Sequence, residues 1–229
     1  MRKRFTPIAI VVMLLGIIVP ARAGDVLDRI VATVNGHIIL QSDWDDAVRY
    51  EAFIAGRLPD QVTPADRKTA LDRLIDQELL REQMQSSDFP RATGPEIDKT
   101  IADVRRQYPE AATDSGWQAL LTRYRLSEGE LKDHITLRLD LMRLVDARLR
   151  PTVSIDAKSI ESYYNQELLP QLRQEGAREV PLGEVSPRIK ELLTQRRVNE
   201  LLLSWLQDLR AGSAIHTMLN PAGSGDRSR

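Results

Sequence analysis

Three histidines, His37, His134 and His216, and an acidic triplet, Asp43, Asp45 and Asp46, are the side chains best suited to proton transfer or metal binding. The histidines are scattered along the chain, and no pair has the His-x-x-x-His spacing of a metal site. Each therefore reads as a surface residue or an internally satisfied structural one. The aspartates cluster at a helix start. A metal site or an acid pair is one use for them, and favourable charge at the positive end of the helix is the simpler one. No glycine-rich phosphate loop follows a strand, and no Gly-x-Ser-x-Gly elbow occurs. The chain has no cysteine, so thiolate chemistry, disulfides and cysteine lipidation are excluded. We expect no catalytic residue, no metal ligand and no cofactor site.

The first 23 of the 229 residues look like an export signal. Arg2, Lys3 and Arg4 precede an apolar run from Ile8 to Val19, and Ala21-Arg22-Ala23 supplies a small-x-small cleavage pattern. Twelve residues rise only about 18 Å as a helix, too little to cross a bilayer. Cleavage after Ala23 leaves 28 basic residues against 33 acidic ones, a net charge of −5. That balance disfavours nucleic acid and anionic membrane surfaces as partners. The expectation is an exported, periplasmic protein held together by packing alone.

The elements that would position any site are mainly helical. Ile30 to Val34, the Asn35-Gly36 turn and Ile38 to Leu40 read as a hairpin, and Ala214 to Leu219 as a further strand. Neither is stable alone, so the two chain ends are expected to meet in one small sheet. Between them, Ser42 is the expected cap of a helix carrying Trp44, Val48 and Phe53, and Pro64 opens a second helix with Leu71, Leu74, Ile75 and Leu79. Thr93 with Glu96, and Ser127 with Glu130, form capping boxes ahead of further helices, and Trp117 to Tyr124 fills a short helix between them. The helix after Ser127 has two apolar stripes: one runs from Leu131 through Ile135, Leu139, Met142 and Val145 to Leu149, the other holds Leu137, Leu141 and Leu144. It is expected to be central and enclosed. Asp156 caps a helix that Pro170 ends or bends, Gln171 to Gly183 reads as loop, and Ser186-Pro187 starts the last helix. The division is a signal (1–23), one helical domain (24–219, with an N-terminal module 24–164 and a closing helix and strand 185–219), and a disordered tail (220–229).

Several segments in order resemble the SurA-type periplasmic chaperones. Asp28 to Ile39, with its Val34-Asn35-Gly36 turn, is similar to that family's opening, and Gln41-Ser42-Asp43 to its helix start. Ala70 to Leu80 resembles its Leu-Ile-acidic-x-x-Leu-Leu helix. Leu126-Ser127-x-x-Glu130-Leu131, Arg148-Leu149-Arg150-Pro151-x-Val153 and Ile160-x-x-Tyr163-Tyr164 follow in the same order. Glu184-Val185-x-Pro187-x-Ile189 and Trp205-Leu206-x-x-Leu209-Arg210 resemble its closing helix. One departure stands out. Where these chaperones usually carry parvulin-type prolyl isomerase domains, this chain has only Asn165 to Glu184, too short for such a fold.

The resemblance implies an ATP-independent holdase, not an enzyme, that binds unfolded exported polypeptides, outer-membrane proteins above all. A dedicated adaptor for one folded envelope partner is the alternative, and an isomerase would be so in family label only. The aromatics either pack the core at helical spacing or line a groove for apolar peptide. Trp44, Tyr50, Phe53, Met84 and Phe89 are the expected client contacts, with Phe53 and Phe89 expected to stand clear of the core and Trp205 to belong to it.

Overall fold

The computed structural model describes residues 28–218. The expected signal segment and the expected disordered tail lie outside the described residues, as does Leu219 of the last expected strand. Strands β1 (Ile30–Val34) and β2 (His37–Leu40) form the antiparallel hairpin, with Asn35 at φ 49° and Gly36 at φ 88°. A two-residue turn with both φ values positive matches the twist of its strands, which is why Asn-Gly sits there. Strand β3 (Ile215–Thr217) adds antiparallel to β1, giving the order β2-β1-β3. Asn35 fastens the two chain ends: its side-chain oxygen accepts from the Ala214 amide at 2.9 Å, and its side-chain amide donates to Ser213 and Glu82. The expected closure of the ends in one sheet is observed.

The rest is helical. Helices α1 (Gln41–Ile54), α2 (Pro64–Gln85), α3 (Gly94–Arg105), α4 (Asp114–Tyr124) and α5 (Glu128–Leu149) follow in order. Both expected capping boxes form: the Glu96 carboxylate accepts from Thr93, and the Glu130 carboxylate accepts from Ser127, each at its backbone amide and hydroxyl. At α1 the expectation is corrected. Ser42 lies inside the helix and bonds to Asp28, while Asp43 accepts from the Leu40 amide at 2.9 Å. A carboxylate in the first turn satisfies that free amide and the helix dipole together.

Two apolar cores fill this body. One joins Val31 and Val34 of β1 to Trp44 and Val48 of α1 and Leu71, Ile75 and Leu79 of α2. The other wraps Phe53 with Trp117, Leu120 and Tyr124 of α4 and Leu131 and Ile135 of α5. The Phe53 ring lies 5.3 Å from both the Tyr108 and Tyr124 rings, and its carbonyl accepts the Tyr108 hydroxyl.

Beyond α5 the packing thins. Helix α6 (Ala157–Tyr163) runs through a π turn (Tyr164–Leu168) into α7 (Leu169–Gln174). Pro170 has no N–H and crowds the carbonyl four residues back, and the wider turn just ahead of it accommodates that. The segment read as loop thus begins in helix. The last helix, α8 (Leu182–Ala211), starts four residues ahead of Ser186 and contains Pro187 as its sixth residue, where the missing N–H forfeits one intrahelical bond. It returns along α5 and α2, where Val198 packs with Val145 and Leu149, and Leu202, Trp205 and Leu206 with Leu80 and Leu144. Trp205 is half-buried, under the Arg148 guanidinium at 4.6 Å. No parvulin fold interrupts the stretch between α6 and α8.

Candidate functional site

Where α8 crosses α5 and α2, the helices do not close over one another. An open depression of about 330 Å³ lies there, lined by Leu80, Leu137, Leu141, Met142, Val145 and Leu202, with polar groups at its edges. A second depression of about 350 Å³ adjoins it toward β2 and shares Gln77, His134 and Leu137 with it. Together they make one groove along α5, from Glu130 to Asp146. The sixteen steps of rise between them span about 24 Å. Met142 is 57% exposed at the rim, whereas Leu141 and Leu144 beside it are buried. Leu141 and Leu144 of the second apolar stripe are enclosed, whereas Leu137 of that stripe is only half-buried and Met142 of the first is left wet. The expectation of a fully enclosed helix is corrected accordingly.

Tyr50 and His134 stand where the two depressions meet. Their rings stack at 4.3 Å with 12° between planes. His134 Nε2 lies 2.7 Å from Asp46 Oδ2, and Arg49 pairs with the other carboxylate oxygen at 3.2 Å. Burial raises the Asp46 pKa, but the bond and charge of His134 and the charge of Arg49 outweigh it, leaving the carboxyl below its ordinary value. His134 is thus a satisfied structural histidine. Burial pushes the Tyr50 phenol up, against the lowering effect of the Arg138 guanidinium. The Tyr50 hydroxyl is buried and has no hydrogen-bond partner among the described residues. An orphaned buried hydroxyl costs about 1–3 kcal/mol.

The five expected client contacts are not brought together. Trp44 lies in the core beneath the sheet, its indole N–H donating to the Arg67 carbonyl at 2.7 Å. Phe53 is 0% exposed at the centre of the second core. Met84 and Phe89 pack under α5 and α8. Phe89 was expected to stand clear because it precedes Pro90 in a polar stretch. The structure reverses this, since that stretch is fastened to α5: Arg143 donates to the Pro90 and Arg91 carbonyls, Asp140 accepts from the Ala92 amide at 2.7 Å, and Arg91 lies 4.3 Å over the Phe89 ring. Only Tyr50 of the five borders the groove. Leu137, Met142 and His134 were not among the expected contacts, and the signal that could have found them is the excess of apolar faces on α5.

Of the rest of the acidic triplet, Asp43 caps α1 and Asp45 pairs with Arg67, its carboxyl lowered because that pair and Gln41 outweigh the burial that raises it. Among the described residues no three His, Cys, Asp or Glu side chains stand where one metal ion could be held, and no helix is long and apolar enough to cross a membrane.

No curated protein matches the chain. A family profile described as SurA-like N-terminal domain matches residues 1–144, the stretch that holds both cores and nearly all of the groove's α5 wall. That match covers more than half of the chain, and with the hairpin and the capped helices in the expected order, the chain belongs to the SurA-like N-terminal domain family.

Proposed function

We propose that this protein is an ATP-independent periplasmic chaperone that shelters unfolded exported polypeptides, outer-membrane proteins among them, in the groove along α5. One observation carries the reading: apolar side chains of the family's own domain are left wet in an open, elongated depression, with Met142 at the rim and Leu137 and the half-buried Tyr50 between the walls. Exposed apolar surface is costly unless something covers it at times. About 24 Å accommodates roughly seven residues of extended chain at 3.3–3.4 Å each. Binding by burial of a few hundred Å² at about 25 cal/mol per Å², less the cost of ordering, is weak and reversible, as a holdase without nucleotide requires. Tyr50, Leu137 and Met142 are the proposed client contacts. Trp44, Phe53, Met84 and Phe89 hold the groove's walls by packing beneath them. No group in this account makes or breaks a covalent bond.

The experiment is dilution of several unrelated urea-unfolded proteins into buffer with the purified chain, read by light scattering. Suppression across all of them without ATP is expected. Suppression of none, with one folded envelope protein retained on the immobilised chain, would replace the holdase by a dedicated adaptor.

A further inference from the structure

The groove's two halves differ in charge, and the difference runs in one direction along α5. The half toward α8 is apolar, with Arg138 and Asp146 balancing each other at its edge. The half toward β2 carries the carboxylates of Asp43, Asp46, Glu78, Glu130 and Asp133, faced by one guanidinium, Arg81, and by His134. Asp46 is committed to His134 and Arg49, and Glu78 lies 3.5 Å from His37 and 3.7 Å from Arg81. Asp43 and Glu130 cap their helices and stay exposed. Asp133 is exposed and has no ion pair or hydrogen bond among the described residues. The carboxylates are spread along the groove and do not converge on a point, so the arrangement suits positive charge distributed on a chain and not a bound metal ion.

We propose that the groove selects its clients by charge as well as by apolarity: it takes an extended segment with apolar or aromatic side chains over Leu137, Leu141 and Met142 and a lysine or arginine beside them over Asp133 and its acidic neighbours. This rests on the groove being the client site and adds a preferred sequence and a fixed direction of lying. A polyanion such as nucleic acid meets repulsion along the same wall. An acidic flank meets it too, which makes the groove discriminate between segments of equal apolarity.

The test uses the mature chain and three fluorescently labelled seven-residue peptides that share an aromatic core and differ only in flank, two lysines, two glutamines or two glutamates. Anisotropy at low salt should rank them lysine, glutamine, glutamate, with about three- to tenfold between the first and last. The spread should shrink in 0.5 M salt, where the Debye length falls to a few Å. Asp133→Asn should narrow the spread without changing the melting temperature, because that side chain is exposed. Met142→Gln should weaken all three peptides alike and leave their order intact. Equal affinity for the three peptides overturns the charge preference while leaving the groove as client site. No binding of any peptide, including a chain that closes the groove by pairing with a second copy, overturns both.

Discussion

The body from β1 to α5 and the arm from Arg150 onward are built to different standards. In the body, each helix buries a continuous stripe, and side chains such as Phe53, Tyr124, Leu131 and Ile135 are almost wholly removed from water. In the arm, from Arg150 to Met218, only Ile189 and Val198 are buried, and α6 and α7 bury nothing fully. The arm is held by edges: Val198 against α5, Trp205 under Arg148, Arg210 to Asp76 at 2.6 Å, and β3 on the sheet. The well-buried body backs α5, and the less buried α8 forms the opposite wall of the groove. Local opening is cheapest where few apolar contacts must be broken.

The largest effect expected of this contrast is in the body. Phe53→Ala should cost about 3–5 kcal/mol, because it empties a site enclosed by Tyr108, Trp117 and Tyr124. Urea unfolding measures it, and a loss below about 1 kcal/mol would show that the body is not the stable half. A smaller and more local effect is expected in the arm. Val198→Ala removes two buried methyl groups at about 0.8 kcal/mol each. Hydrogen exchange should quicken in α6, α7 and α8 while amides of α1 and α4 keep their protection. Equal quickening throughout would mean that body and arm unfold as one unit and would erase the distinction.

Acid should act on the body first. The Asp46 carboxyl lies below its ordinary value of 3.8 in the folded chain, so its pairing stabilises the fold fully above that value and is lost as pH falls through the lower folded pKa. Asp46→Asn should therefore flatten part of the stability decline below about pH 4 and leave the neutral-pH arm exchange unchanged. An unaltered acid limb would assign that decline to other carboxylates. Asp45, Glu96 and Glu130 are also held low, the first by Arg67 and Gln41 against burial, the other two by their capping bonds.

Much of this contrast can be read from the residues, and some cannot. Hairpin, caps and sheet closure follow from local chemistry: Asn35-Gly36 accepts positive φ, and Thr93 and Ser127 each stand three residues before a glutamate. The start of α8 at Leu182 is not local in this sense, since it depends on α8 docking along α5 and α6 and not on a capping residue. The groove is less local still. Periodicity places Met142 in the same stripe as the buried Ile135 and Val145, and only the path of α8 decides which of them stays wet. Phe89 shows the converse: its neighbours are polar, yet Arg91, Arg143 and Asp140 fasten that stretch down over a core. Apolar spacing identifies which faces need covering, and the tertiary path determines which are covered.

If the wet face of α5 holds unfolded polypeptide, Met142 is where a substitution should reveal it, because its side chain is 57% exposed and contributes little to the fold. Met142→Gln should leave the melting temperature within about 1–2 °C of the parent. The same variant should weaken binding of an unfolded client by about 1 kcal/mol, roughly fivefold, in a titration followed by suppression of light scattering. Unchanged suppression by a variant that melts like the parent would contradict the account and move the client site off this groove.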